Sequence, residues 1–159
     1  RTLACRRCLE AGYTIVPPAV ASGPATARVM IIGQAPGITE QETGRPMNAG
    51  SGRRLFGWLG EAGWDEDDFR ARHYMTAVTR CYPGRNDAGR GDRVPTRAEQ
   101  ALCRPFLEEE ITLVNPRLII PVGGNGQQQL LSIYRQGNEF VQDVLEMVSF
   151  VPMLSGADS

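Results

Sequence analysis

The sequence has 159 residues, a formal net charge of -1 at pH 7 and a pI near 5.9, a balance that excludes a protein with a basic surface throughout. A chain of this length buries about two-thirds of its unfolded surface as one domain. We therefore expect a single domain over 1–159 that needs no disulfide or metal crosslink in order to fold. All 17 basic residues are arginines, and a local basic face stays compatible with the overall charge.

Four cysteines give the first specific signal. Cys5 and Cys8 form a C-x2-C pair at the N-terminus, and Cys81 and Cys103 lie far downstream. Because no signal-peptide pattern precedes them, this set indicates a metal site rather than disulfides. The spacing does not separate tetrahedral zinc from a [4Fe-4S] cluster, since four thiolates suit both. Four free or buried cysteines are the alternative without a metal.

The first strong structural pattern is a buried strand followed by a tight loop. Residues 29–32 are β-branched and apolar, and the loop G-Q-A-P-G at 33–37 ends that run. Ligands bind at the carboxyl ends of the strands in an open α/β sheet, so we expect chemistry in this loop. An ordinary strand-ending turn is the alternative. The polar segment that follows, 38–46, brings Glu40 and Glu42 beside the expected pocket.

Helical and strand patterns alternate along the rest of the chain. Helical spacing predicts helices over 51–62, 96–115, 125–134 and 140–147, and residues 65–72 predict a short, charged helix or turn. Apolar runs predict strands over 73–79, 117–123 and 148–153. Thr96 and Glu99 form the capping box of the strongest of these helices. The alternation predicts a three-layer α/β/α sandwich around a central four-stranded, mostly parallel sheet.

A long loop over 82–95 is rich in glycine and arginine and has no apolar periodicity. It carries Arg85, Arg90 and Arg93, and within 80–104 six arginines oppose three acidic residues. Long loops in compact domains are usually functional, and this one offers a docking surface for backbone phosphates. A solvated flexible loop is the alternative.

These motifs together resemble the iron-sulfur uracil-DNA glycosylases of families 4 and 5 over nearly the whole chain. The matching pieces follow the family's order: C-x2-C, G-Q-A-P-G at 33–37, T-G-R-P at 43–46, T-A-V-T-R-C-Y-P-G at 76–84, C-R-P-F-L at 103–107 and P-R-L-I-I-P-V-G at 116–123. The resemblance implies a four-stranded parallel sheet. It also implies a [4Fe-4S] cluster on Cys5, Cys8, Cys81 and Cys103, with zinc as the alternative that the spacing left open.

The activity implied by this resemblance is hydrolysis of the N-glycosidic bond of uracil, or of another deaminated base, flipped out of DNA. The partner would be DNA that contains such a base, and the product an abasic site. The catalytic candidates, at or beside the loop that carries the water in this superfamily, are Gln34, Glu40 and Glu42. The candidates for base binding are Gly33, Ala35, Pro36, Gly37, Met47 and Ala77, and those for DNA binding are Arg85, Arg90, Arg93 and Ser155.

Three pocket positions depart from the family 4 pattern. Gln34 stands where that family has a carboxylate, and it can orient a water but cannot take its proton. Met47 replaces an aromatic residue that stacks on the base, and Ala77 replaces an asparagine that reads the uracil edge. Ala77 also occurs in family 5 and predicts looser base discrimination.

The C-terminal tail departs further. The single histidine, His73, begins a predicted strand, and we expect a structural role for it. Residues 150–159 resemble the family's last strand and its H-P-S-G-A-S loop without the His-Pro portion. We therefore expect that the chain stops short of the true C-terminus. An intact mass near 17.4 kDa would contradict this expectation.

Two other classes of function stay open at this point. A weakened relative would bind DNA or a damaged base without cleaving it, and a zinc-stapled α/β domain would bind a free nucleotide through its glycine-rich loop. Without a signal peptide or an apolar run near 18 residues, we expect a soluble, cytoplasmic protein without membrane partners. We expect it to be a monomer.

Overall fold

A computed structural model of the protein describes residues 4–123, 128–137 and 139–148. Its helices are α1 (Arg7–Glu10), α2 (Ile38–Thr43), α3 (Gly50–Glu61), α4 (Glu66–Arg72) and α5 (Arg97–Val114). Its strands are β1 (Val29–Gly33), β2 (Tyr74–Ala77), β3 (Leu118–Pro121), β4 (Gln128–Gln136) and β5 (Glu139–Val148). Within these described ranges, no helix has both the length and the apolar character that a membrane span requires.

The strands form one sheet in the order β2-β1-β3-β4-β5. β1 lies between β2 and β3 and pairs with both in parallel, whereas β4 pairs antiparallel with β3 and with β5. The predicted four-stranded, mostly parallel sheet is therefore not confirmed. Three parallel strands form the α/β part of the sheet, and an antiparallel hairpin extends its β3 edge.

The two helices predicted over 125–134 and 140–147 are wrong where the structure describes them. Residues 128–136 and 139–148 pair with each other along their whole length, from Gln128 opposite Val148 to Gln136 opposite Glu139. Short apolar runs fit helical and strand periodicities equally well, and pairing between distant residues decides between them. The strand predicted over 148–153 lies outside the described residues beyond Val148.

The central strand β1 is buried on both faces, as its apolar run predicts. Met30 packs in a cluster with Val114 of α5, whereas Ile31 packs on the opposite face with Phe56 of α3 and Phe69 of α4. Successive side chains of a strand point to opposite faces, so the helices cover both sides of the sheet. The predicted three-layer α/β/α arrangement holds for the parallel part of the sheet.

The predicted helices over 51–62 and 96–115 are confirmed as α3 and α5, and the helix alternative over 65–72 is confirmed as α4. The Thr96 hydroxyl accepts from the Glu99 backbone N–H at 3.2 Å, and the Glu99 carboxylate accepts from the Thr96 N–H at 2.7 Å. The capping box is thus formed as predicted. α2 was not predicted, since its six residues are too few to show a helical apolar face.

His73, which directly precedes β2, is buried between aromatic rings. Its ring centroid lies 4.3 Å from that of Phe69 and 5.4 Å from that of Trp64, and neither ring nitrogen has a hydrogen-bond partner in the described part of the chain. Burial lowers the pKa of His73 below its ordinary value, and the positive charge of Arg72 lowers it further. The folded protein therefore holds this imidazole neutral, in a packing role.

This environment predicts a stability that depends on pH. The folded-state pKa of His73 lies below the unfolded value of 6.5, so the neutral form's contribution is complete above pH 6.5 and is lost as the pH falls through the folded pKa. We predict that the free energy of unfolding, measured in urea, decreases between about pH 7 and pH 5. His73→Phe should remove this decrease, and an equal decrease in both proteins would contradict the prediction.

Candidate functional site

The predicted pocket residues meet at the carboxyl edge of the parallel strands. Gly33, the last residue of β1, is the register partner of Ala77, the last residue of β2. Beyond these strands, the Val78 N–H donates to the Gly33 carbonyl at 2.9 Å, and the Thr79 N–H donates to the Gln34 carbonyl at 3.0 Å. The G-Q-A-P-G loop, which includes Ala35 and the buried Pro36, is therefore held at its first two residues.

Met47 covers this edge of the sheet. It is buried, it adopts a left-handed backbone conformation with φ 53°, and its Cε lies 2.9 Å from the position that a Cβ on Gly33 would occupy. A side chain at position 33 would therefore collide with the end of Met47. Gly33, Met47 and Ala77 therefore lie together at this edge of the sheet, and their binding of a base stays a prediction.

Glu40 joins two segments at this edge of the sheet. It is buried on α2, and its two carboxylate oxygens accept from different backbone N–H groups, Gly37 at 2.7 Å and Asn48 at 3.2 Å. Its carboxylate thus links the loop after β1 to the segment that carries Met47. Glu42 lies exposed on the same helix.

Arg70 is a functional candidate that the sequence analysis missed. Its Nη1 and Nη2 donate to the carbonyls of Pro46 and Met47, each at 2.7 Å, and its guanidinium lies 4.2 Å from the ring centroid of Phe56. It fixes the backbone of the segment that covers the pocket. The only local signal is its spacing of four residues from Glu66, with which it forms an ion pair at 2.8 Å.

The arginine-rich loop is folded against itself. An isolated bridge joins Arg85 to Asp92, and the Asn86 side chain bonds both the N–H and the carbonyl of Arg90. Arg85 and Arg90 are exposed, and neither forms an ion pair with any described residue. These two guanidinium groups are available to an external anion.

Arg93 has a different environment from the other two arginines of this loop. Its Nη1 and Nη2 donate to the two carboxylate oxygens of Glu99 at 2.8 and 2.5 Å. Arg93, followed by Thr96, lowers the pKa of the buried Glu99 to about 2. A bidentate pair of this kind fixes the end of the loop on α5, so we place Arg93 in loop positioning.

The arginine-rich loop also touches the pocket loop. The Tyr82 hydroxyl donates to Asp92 Oδ1 at 2.8 Å, and Asp92 Oδ2 lies 2.8 Å from where a Cβ on Gly37 would be. Glycine at position 37 therefore permits this close approach. The arginine-rich loop and the G-Q-A-P-G loop are therefore in contact.

All four cysteines line a single cavity. Cys8 lies on α1, Cys103 lies on α5, and Cys81 follows β2 by four residues, while Cys5 lies two residues before α1. Apolar side chains complete the wall, among them Ile15, Ala19, Leu102 and Phe106. Residues separated by up to 98 positions along the chain thus supply one set of thiols.

The chemistry of this donor set fits a tetrathiolate group in number and type. All four cysteines are free thiols, and burial raises the pKa of Cys81 to about 12, with the neighbouring thiols adding to the shift. In the described residues, no three His, Cys, Asp or Glu side chains stand close enough to one another to form a closed metal site. The thiols thus share a cavity without closing around a common point.

Ser155 and His73 make no described contact with this edge of the sheet. Ser155, a DNA-binding candidate, lies outside the described residues. His73 lies before β2, at the opposite end of that strand from Ala77 and the pocket edge. The sequence thus offers this pocket no histidine.

Comparison with known proteins gives one family match and several relatives. A profile of the uracil DNA glycosylase superfamily matches residues 20–156. The chain is 34% identical over 116 residues to a type-4 uracil-DNA glycosylase of Pyrobaculum aerophilum, with 73% of this chain and 54% of that protein covered. It is 35% identical over 104 residues to a type-4 uracil-DNA glycosylase of Thermotoga maritima, with 65% of this chain and 49% of that protein covered.

A second kind of relative matches a shorter stretch. A protein-L-isoaspartate O-methyltransferase of an Azoarcus species is 60% identical over 42 residues, which make up 26% of this chain and 19% of that protein. A match of this length is too short to show membership in the methyltransferase family. The chain also spans only about half the length of the glycosylases that it matches.

Close packing at Gly52 predicts a position-specific effect of added volume. A Cβ at Gly52 of α3 would lie 1.8 Å from the Met47 carbonyl oxygen, whereas one at Gly57 of the same helix would meet nothing within 4 Å. We predict that Gly52→Ala lowers the free energy of unfolding by about 1–3 kcal/mol. Gly57→Ala, the matched control, should leave it unchanged or raise it by about 0.5–1 kcal/mol. Equal changes in urea unfolding would show that the approach of α3 to Met47 is unimportant.

Proposed function

Because the chain belongs to the uracil DNA glycosylase superfamily, we propose that it is a DNA repair glycosylase that hydrolyses the N-glycosidic bond of uracil in DNA. The base would be flipped out of the duplex, and an abasic site would remain. The observation that carries this proposal is the convergence of Gly33, Met47 and Ala77 at the carboxyl edge of β1 and β2. Other deaminated bases are within its scope, because Ala77 offers no polar group to select uracil.

The pocket would hold the base by shape rather than by a dense set of hydrogen bonds. Flipping a base out of the stack costs a few kcal/mol and is cheapest for a mispaired base such as uracil opposite guanine. Gly33 and Ala77 carry no bulky side chain at the edge of the sheet, so the thioether of Met47 can lie over it and is a polarizable surface for the base face. Arg70 would serve this pocket indirectly, by fixing the backbone of Met47.

Gln34 is our candidate for orienting the attacking water. Its amide can bond a water but cannot accept the proton, so charge stabilisation would outweigh base catalysis in this site. Bond cleavage builds positive charge on the sugar and negative charge on the leaving base.

We propose a positioning role for Glu40, since both its oxygens bond backbone N–H groups. Glu42, which lies exposed on α2, is the remaining candidate for a carboxylate at the rim.

DNA would dock where the arginine-rich loop meets the G-Q-A-P-G loop. Arg85 and Arg90 are the candidates for phosphate contacts, because both are exposed. Guanidinium groups bind phosphates in a bidentate manner, and such contacts position the duplex without reading its sequence. Ser155 remains a candidate for the same role.

The cofactor we propose is a [4Fe-4S] cluster on Cys5, Cys8, Cys81 and Cys103, with zinc as the alternative. The support is the shared cavity of all four thiols, together with the names of the type-4 relatives. When bound, the group would crosslink α1, α5 and the segment after β2. Hydrolysis needs no electron transfer, so we assign the group a structural role.

The test is a cleavage assay on labelled duplexes that contain one uracil, hypoxanthine or xanthine, followed by alkali to break abasic sites. We predict scission at uracil and a ranking among the three bases. Scission at none of them, with duplex binding retained, would contradict the glycosylase proposal. That result would favour the relative that binds DNA without cleaving it.

Two variants test whether the arginine-rich loop binds DNA. Arg85→Ala with Arg90→Ala should weaken duplex binding and reduce the slope of log affinity against log salt by about 2, because two phosphate contacts are lost. Arg72→Ala, which removes an exposed arginine from α4, should change neither quantity. Equal effects of the two changes would mean that DNA docks elsewhere.

A further inference from the structure

Arg80 and Glu99 are the most deeply buried charged residues in the described part of the chain, each with 0% of its surface exposed. Arg80 lines the cysteine cavity and belongs to the segment that follows β2. Its backbone N–H donates to Cys103 Sγ at 3.5 Å, and its Nη1 lies 3.8 Å from the same sulfur. Two donors from one residue therefore point at one candidate metal ligand.

The other contacts of Arg80 lie on the same face of α5. Its Nε forms an ion pair with Glu110 Oε1 at 2.8 Å, and its guanidinium carbon lies 5.8 Å from the ring centroid of Phe106. Residues 103, 106 and 110 follow one another at helical spacing, so a single side chain can reach all three. The guanidinium is thus fixed in direction, with Cys103 at one end and Glu110 at the other.

Burying a guanidinium is costly unless charges and hydrogen bonds compensate for the lost water. Glu110 compensates for part of the charge of Arg80, but Arg80 Nη2 has no hydrogen-bond partner among the described residues. A neutral thiol is a weak acceptor, whereas a thiolate is a strong one. The two donors of Arg80 would therefore gain most from a Cys103 sulfur that is bound to a metal.

We propose that Arg80 is a positioning residue for the four-cysteine metal centre, where its two donors fix the Cys103 sulfur as a ligand and its guanidinium offsets the negative charge of the bound group. This inference rests on the metal centre of the proposed function. Donors to ligand sulfurs and nearby positive charge stabilise the more reduced form of an iron-sulfur cluster. Arg80 therefore favours retention of the metal and raises the reduction potential of an iron cluster.

The experiment uses the full chain, purified with its metal, and the double variant Arg80→Met with Glu110→Met. The paired change leaves no lone buried charge, and replacing a buried ion pair by apolar residues is often neutral for folding. Iron, zinc and acid-labile sulfide are measured during dialysis against a chelator. We predict that the double variant loses its metal about 10-fold faster than the wild type. An iron-loaded double variant should also show a more negative midpoint potential.

Two further variants separate this role from general packing. Arg104→Met with Glu108→Met removes an exposed ion pair of the same residue types from α5, and it should retain metal like the wild type. Arg80→Lys keeps the positive charge but loses the planar guanidinium. Its midpoint potential should therefore lie between those of the Arg80→Met with Glu110→Met variant and the wild type.

The outcomes distinguish this inference from the proposed function. Metal loss and potential in the Arg80 and Glu110 variant equal to those of the Arg104 and Glu108 control would overturn the role of Arg80 and leave the metal centre standing. A wild-type protein with neither iron nor zinc would overturn the metal centre and this inference together. Uracil excision, measured separately, decides the glycosylase proposal.

Discussion

The structure depends on a short run of backbone hydrogen bonds after β2. Successive N–H groups of Val78, Thr79 and Arg80 donate to the Gly33 carbonyl, the Gln34 carbonyl and the Cys103 sulfur. One short segment therefore holds the pocket loop at one end and a cysteine of the cavity at the other. Because backbone geometry allows little slack over three residues, movement at either end is transmitted to the other.

Other contacts hold the site from the remaining sides. Arg70 fixes the segment of Met47 through two bonds to backbone carbonyls, and Glu40 ties that segment to the loop after β1 through one backbone N–H from each. The Arg93 and Glu99 pair holds the arginine-rich loop on α5, and Asp92 brings that loop against Gly37. Glu40 and Arg93, which the sequence predicts to be catalytic and DNA-binding, thus also hold backbone segments in place. Of the polar site candidates that the structure describes, Gln34, Glu42, Arg85 and Arg90 remain as proposed contacts to substrate.

Sequence patterns predicted the parts of the fold that depend on local signals. The buried run of β1, the capping box of α5 and the gathering of four cysteines were readable because each has a distinct spacing or composition. The β4 and β5 hairpin was not, since its stability comes from pairing between residues up to 20 positions apart. The roles of Arg70 and Arg80 were also hidden, because their partners are backbone carbonyls and a sulfur brought together only by folding.

The central claim is that the cysteine centre and the base pocket form one connected unit. Amide hydrogen exchange of the metal-loaded protein and of the protein after metal removal tests it directly. We predict that removal raises exchange at Val78 and Thr79 by roughly 10-fold or more, as local opening becomes easier, while Ile31 in the centre of β1 stays protected. Unchanged protection of Val78 and Thr79 after complete loss of the metal would contradict the claim.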